Sequence, residues 1–236
     1  MQRFYINSSK IGENNFILDD KEIVHQLSKV LRSKPGDEII VFNGTDNKDY
    51  KYSIAEINKK DIVLKYESLL IKNSEIDFEL NLYQALPNKL EKVEYIIQKA
   101  SEVGFTSFTF FKSERSQRLV LSDKKIERLE KIIIEAVEQS GRNSIPKLNI
   151  IEKLDIKNIS GENIFFHTQD NKSINIVDFK IKNKKRVNLF VGPEGGWSEE
   201  EVKNFENNVF FKVYLGNRIM RTETVAPIIG FWIINN

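Results

Sequence analysis

Up to about residue 70 the apolar positions fall in short alternating runs rich in Tyr, Val and Ile, separated by polar turn formers. Period-two alternation predicts half-buried strands at Glu38 to Phe42, Tyr50 to Ile57 and Ile62 to Tyr66. The strings Asn43-Gly44-Thr45-Asp46 and Asn58-Lys59-Lys60-Asp61 supply the turns between them. Only Lys21 to Arg32 carries helical spacing, and Pro35-Gly36-Asp37 ends it. On that helix His25 sits among Ile23, Val24, Leu27 and Val30 and reads as a partly buried structural histidine. Together these elements predict a small β-barrel-like domain with one helix.

From Leu80 the period changes to strand, helix, strand. Leu80 to Leu86 is followed, after Pro87, by a helix with Leu90, Val93, Ile97 and Ala100 at spacings of three and four. Ser107 to Phe111 is the next strand and Asp123 to Ser140 the next helix, with Ile126, Leu129, Ile133, Ala136 and Val137 on one face. Strands at Asn163 to His167, Val187 to Val191 and Lys212 to Leu215 follow, and an apolar helix closes the chain. Such alternation predicts a parallel α/β sheet. The change of pattern near residues 70 to 78 places the expected domains at 1–72 and 73–236.

Composition narrows the class. The longest near-continuous apolar run, Val225 to Ile234, is far shorter than the roughly 20 residues of a membrane-spanning helix. Met1 to Ile6 runs straight into Asn7-Ser8-Ser9-Lys10 without an apolar signal region, so a cytoplasmic protein is expected. The absence of cysteine excludes disulfides and thiolate chemistry, and His25 and His167 lie far apart, so any chemistry is expected to be metal-free.

The formal net charge of +2 does not by itself point to nucleic acid, so any basic surface must be local. Lys112 to Lys131 (seven basic, four acidic) and Lys180 to Arg186 (five basic, none acidic) are the two such stretches, each either an RNA contact or a solvated face. Of the 36 basic residues 27 are Lys, so the nine Arg stand out, because a planar fork grips phosphate or carboxylate in a way Lys cannot.

Three strings could carry chemistry. In the first, Val191-Gly192-Pro193-Glu194-Gly195-Gly196-Trp197, a glycine turn leaves a buried strand, and Ser198 with Glu201 has capping-box spacing for the helix that follows. It is either a structural turn or a place where backbone approaches a ligand closely, and it matches neither a P-loop nor a dinucleotide fingerprint. Trp197 either stacks on a ligand or simply packs. The second string, Leu215 to Pro227, crowds Arg218, Arg221, Thr222, Glu223 and Thr224 between an apolar strand and an apolar helix, too costly in desolvation for filler. Thr222 or Thr224 is expected to cap that helix and Pro227 to lie in its first turn. The third joins Ser113-Glu114-Arg115-Ser116-Gln117-Arg118 to Glu138-Gln139-Ser140-Gly141-Arg142-Asn143, a donor set suited to a phosphate backbone, with Gly141 an ordinary helix C-cap.

Seven strings occur in order along the chain: Arg3-Phe4-Tyr5, His25 to Arg32, Gln98 to Gly104, Ser113 to Ser116, Glu138 to Arg142, Gly192 to Gly196 and Arg218 to Thr224. In that order and spacing the chain resembles the RsmE family of ribosomal-RNA small-subunit methyltransferases. The resemblance implies a PUA-like N-terminal barrel and a C-terminal SPOUT α/β domain with a mostly parallel sheet and a trefoil knot. It further implies methylation of uridine N3 in 16S rRNA by a homodimer that binds S-adenosylmethionine. Carried over, the cofactor residues are Phe166 and His167; Val191, Gly192, Pro193, Gly195 and Gly196; and Leu215, Gly216, Ile219, Met220, Thr222 and Thr224. Met220 departs from the Leu usual there, a change conservative in volume.

Uracil N3 carries a proton that must leave before N3 attacks, so a base, or a cation that stabilises the anion, is required. Glu223 and Arg221 are the candidates, with Glu194 in reserve; each could instead hold the loop as a salt bridge. Arg3, Arg32, Arg115, Arg118 and Arg142 are the candidates for holding RNA. A ribose 2′-hydroxyl as the target, or an RNA-binding protein without catalysis, are the competing readings.

Overall fold

In the computed structural model, residues 1–8, 11–12, 14–71, 74–168, 170–181 and 184–236 are described. The expected domain junction at 72/73 and part of the Lys180 to Arg186 run therefore lie outside the described residues. The chain separates into two compact units, Met1–Glu75 with Val137–Ile145, and Ile76–Ala136 with Pro146–Asn236.

The first unit is built on five strands, β1 (Gln2–Tyr5), β2 (Phe16–Leu18), β3 (Glu38–Phe42), β4 (Asp49–Ile57) and β5 (Ile62–Leu70), in the order β1-β3-β4-β5-β2. The β1–β3 pairing is parallel and the others antiparallel. Two register shifts along β4 and β5 bend this long hairpin. The alternation visible in the sequence sends Ile39, Val41, Tyr52, Ile54, Ile62 and Leu64 into one core with Phe4, Leu18 and Leu27. Asn43 makes the tight turn, its Oδ1 accepting from the amides of Thr45 and Asp46 at 2.9 and 3.2 Å. The expected helix is two pieces, α1 (Lys21–His25) and a π-helical turn Gln26–Val30. His25 is exposed, which corrects its reading as a partly buried residue: the core side of this segment is Val24 and Leu27. β1 and β2, of four and three residues, are too short for periodicity to reveal.

The second unit carries β6 (Glu79–Ala85), α2 (Leu90–Val103), β7 (Ser107–Phe111), α3 (Asp123–Ser140), whose last turn falls in the first unit, and β8 (Lys147–Ile151). These are followed by β9 (Glu162–Phe166), β10 (Ile174–Asn175), β11 (Arg186–Val191), α4 (Glu199–Asn207), β12 (Phe211–Tyr214) and α5 (Thr222–Asn235). The strand order is β10-β12-β9-β11-β6-β7-β8 and every pairing is parallel. Parallel sheets are covered on both faces, which is why β11 reads as a near-continuous apolar run and is buried from Val187 to Val191. Asn188 is the polar exception within it. Its amide donates to Asn163 Oδ1 at 2.7 Å and its Oδ1 accepts from Asn81 at 2.9 Å, so the buried polar group is satisfied across three strands.

α4 starts with the expected capping box, Ser198 Oγ accepting from the Glu201 amide at 3.0 Å and Glu201 Oε2 from the Ser198 amide at 2.8 Å. It ends in a Schellman turn: the Val209 and Phe210 amides donate to the Glu206 and Phe205 carbonyls, each at 3.1 Å, and Val209 takes the φ of 63° usually left to glycine. α5 departs from expectation at its start. Neither Thr222 nor Thr224 caps it, since Arg221 is the N-cap and makes no side-chain cap bond. Pro227 stands beyond the first turn, inside the helix. At Gly230 an added Cβ would lie 2.3 Å from the Phe105 ring, so glycine is what lets α5 seat on that ring.

Candidate active site at the strand ends

Because all seven strands run parallel, their carboxyl ends lie at one edge, and the loops leaving the adjacent strands β9, β11 and β12 meet there. They enclose a cavity of about 810 Å³ lined by 166–168, 191–197, 214–222 and Val225, with Lys92 and Arg115 at its wall.

Side chains with the right donors fasten these loops to one another. Trp197 is 4% exposed and its Nε1–H donates to the Phe166 carbonyl at 3.0 Å, joining the β11 loop to the β9 loop. Trp197 is therefore packed, and its ring stands 3.2 Å from where a Cβ on Gly192 would be. Thr222, freed from capping, donates its hydroxyl to the Gly192 carbonyl at 2.5 Å and accepts from Gln84 Nε2 at 2.9 Å. Gln84, fully buried at the end of β6, thus locks α5 to the glycine turn. Arg115 closes the side, donating to the Gly195 carbonyl at 3.2 Å, and the Glu114 amide donates to Glu201 Oε1 at 3.1 Å.

Each glycine has its own reason. A Cβ on Gly195 would come within 3.2 Å of Arg115 Cβ. Gly196 and Gly216 have φ of 67° and 83°, the left-handed region, and a Cβ at either would meet no atom within 4 Å. Phe166, Leu215, Met220 and Val225 give the cavity apolar walls, and Ile219 lies 88% exposed in the same lining. An apolar wall with open space above left-handed glycines fits a flat heteroaromatic group held by backbone and aliphatic side chains.

Charge at the wall is organised around one ammonium. Lys92 Nζ lies 2.5 Å from Glu194 Oε1 and 3.9 Å from Glu223 Oε2. Glu194 Oε1 also accepts the Asn88 amide at 3.1 Å. Burial pushes the Glu194 carboxyl up, but the Lys92 hydrogen bond and the backbone amides outweigh it and hold the group below the ordinary carboxylate value. Glu223 Oε2 is buried and makes no hydrogen bond.

Every residue nominated from the sequence for a cofactor lies in the lining except Thr224, which stands within the first turn of α5. Glu194 and Arg221 line the cavity, and Glu223 stands between Thr222 and Val225, which do. Arg115 is the one RNA candidate in the wall; Arg32 and Arg118 are exposed elsewhere, Arg32 at a φ of 52°. Arg3 and Arg142 do not fit the RNA-holding role expected of them. Arg3 is clamped on Asp49 through both terminal nitrogens, and Arg142, 3% exposed, grips Glu75 at 2.8 Å. Their forks are spent on carboxylates inside the first unit. Lys92 and Gln84 escaped the sequence reading: one Lys among 27 and one Gln in a strand carry no local signal.

A parallel sheet with three strand-end loops around one cavity defines a class, and the comparisons agree with it: residues 74–233 match the family described as RNA methyltransferase domain, and 18–66 the RNA methyltransferase PUA domain. Two curated relatives carry the name ribosomal RNA small subunit methyltransferase E. The one from Mesomycoplasma hyopneumoniae is 33% identical over 96% of each chain, and the one from Bacillus subtilis 30% identical over 97% of this chain and 93% of its own. The crystal structure of the protein of that name from Neisseria gonorrhoeae, bound to S-adenosylmethionine, superposes with a TM-score of 0.85 at 28% identity, covering 99% of this chain and 96% of its own. A putative methyltransferase from Legionella pneumophila, in complex with the same cofactor, gives 0.82 at 30% identity over 97% and 94%. The chain belongs to the ribosomal RNA small subunit methyltransferase E family, with a PUA-like N-terminal unit and a SPOUT-type parallel α/β unit.

Proposed function

We propose that this protein transfers the methyl group of S-adenosylmethionine to N3 of one uridine in the 16S rRNA of the small ribosomal subunit, acting in the cytoplasm as a homodimer. The observation that carries this reading is the cavity at the ends of β9, β11 and β12, whose glycine-shaped, apolar wall fits the adenosine part of the cofactor. S-adenosylmethionine, once bound, supplies an electrophilic methyl carbon on a good leaving group, so no metal is needed for the transfer.

The chain's own residues have three tasks. The loops of 166–168, 192–196 and 215–222 bind and orient, since the gain lies in aligning the reacting atoms and keeping water out. Glu223 takes the N3 proton, Glu194 being ion-paired to Lys92. Arg221, exposed at the cavity, is the cation that offsets charge on the uracil. Arg32, Arg115 and Arg118, all exposed, are the candidates for phosphate contact. The N-terminal unit, 1–72 with its five-stranded sheet, serves RNA binding, and 73–236 holds the methyltransferase site.

Calorimetric titration with S-adenosylmethionine and S-adenosylhomocysteine tests this reading. Micromolar binding is expected, weakened about tenfold or more in Gly196→Val, where a β-branched residue would have to take a left-handed φ beside the cavity. A folded protein that binds neither compound would sink the proposal. For the dimer, Ile228 and Phe231 on α5 are 43% and 64% exposed and Tyr95 on α2 is 46% exposed, an apolar group on two packed helices. Sedimentation is expected to give twice the chain mass, and Phe231→Glu to give a monomer; a monomeric wild type would reject the assignment.

A further inference from the structure

We infer that Lys92 is the positioning residue that reserves the proton-accepting role for Glu223 by taking Glu194 as its own counter-ion. This inference rests on the methyltransferase reading above. Two carboxylates, one on the glycine turn and one on α5, converge on this ammonium, and they meet it differently. Glu194, on the glycine turn, is within hydrogen-bond distance at 2.5 Å and has a second donor in the Asn88 amide. Glu223, in the first turn of α5, is at 3.9 Å, beyond a hydrogen bond, and its Oε2 is buried with no donor at all. A carboxylate already accepting two hydrogen bonds gains least from a proton; one held near a cation but accepting none retains its lone pairs for an incoming N–H.

Lys92 comes from the first turn of α2, immediately after β6, so the cluster joins segments that follow three different strands. Besides Lys92 and Glu194, the charged or titratable groups in the cavity wall are Arg115, His167, Tyr214, Arg218 and Arg221. In the transfer, the uracil N3–H proton passes to Glu223, and N3 forms its bond to the methyl carbon. The carbon–sulfur bond breaks with its electron pair going to sulfur, and protonated Glu223 returns its proton to water. Lys92 takes no part in the proton transfer. Its contribution is to compensate one of two neighbouring negative charges, which without it would stand beside each other as like charges with no cation between them.

The test is single-turnover methyl transfer to 16S rRNA in small subunits as a function of pH, with S-adenosylhomocysteine titration run alongside. Lys92→Met is expected to keep its S-adenosylhomocysteine affinity within about threefold while its rate at pH 7 falls roughly tenfold or more, and its acid limb moves to higher pH. Lys92→Arg should recover most of the rate. The double variant Lys92→Met/Glu194→Gln should also recover much of it, because neutralising Glu194 removes the like charge that Lys92 had compensated. A structural strut would not be rescued by deleting its own partner. An unshifted acid limb in Lys92→Met, or a double variant as slow as the single one while still binding S-adenosylhomocysteine, would overturn the inference. Should Lys92→Met itself fail to fold, Lys92→Arg and the double variant decide it on the same readouts. A wild-type protein that binds the cofactor but transfers no methyl group to the rRNA would fail the proposed function itself.

Discussion

Glu223→Gln is expected to slow methyl transfer by about 10²–10⁴-fold, the usual worth of a general base, with S-adenosylhomocysteine affinity changed by no more than a few-fold. The amide has the shape of the carboxylate but cannot take a proton, and Oε2 of Glu223 has no hydrogen-bond partner whose loss would complicate the comparison. The helix start should tolerate the change, because α5 is not capped by this side chain and its first turn is held through Thr222 to Gly192 and Gln84. Rate and binding measured on the same preparation separate the roles. A loss of rate alone identifies the acceptor, an equal loss of binding identifies a residue of the cofactor wall, and wild-type rates would move the acceptor elsewhere.

What the sequence discloses follows the physics of each feature. Strands β3, β7 and β11 and helices α2 and α3 were legible because each buries a full face and periodicity records burial. β8, whose residues are only half-buried or exposed, left no such record. The glycine turn was visible as a motif, but its meaning was not: Gly192 is explained by Trp197, Gly195 by Arg115 and Gly196 by its own φ, three different causes behind one string. Capping chemistry misled at α5, where Thr222 has the residue type of a cap and spends its hydroxyl on Gly192 instead. Arginine identity was informative about demand for a fork but silent about the partner. Arg3 and Arg142 meet carboxylates of Asp49 and Glu75 that are remote in sequence. Lys92 was invisible for the same reason, since its two carboxylates lie more than a hundred residues away.

Removing the carboxylate of Glu75 should cost about 3–5 kcal/mol, the range for breaking a buried ion pair by taking away one member. Glu75 accepts from Arg142 Nε at 3.1 Å and from its terminal nitrogen at 2.8 Å, and it also accepts the Asn143 and Ser144 amides at 2.9 and 3.1 Å. Arg142 is 3% exposed, so in Glu75→Ala its guanidinium cannot turn to water without moving the segment after α3. The effect should appear as a lower urea midpoint at an unchanged slope. Glu75→Gln keeps an acceptor for the two amides and loses only the charge, and should fall between. Arg142→Met removes the cation and leaves the carboxylate with its amide donors, so the double variant Arg142→Met/Glu75→Gln should be more stable than Glu75→Ala alone and less destabilised than the sum of its two single changes. Additive losses would mean that the fork and the carboxylate stabilise the unit separately, and that the ion pair between them is incidental to holding Val137–Ile145 in it.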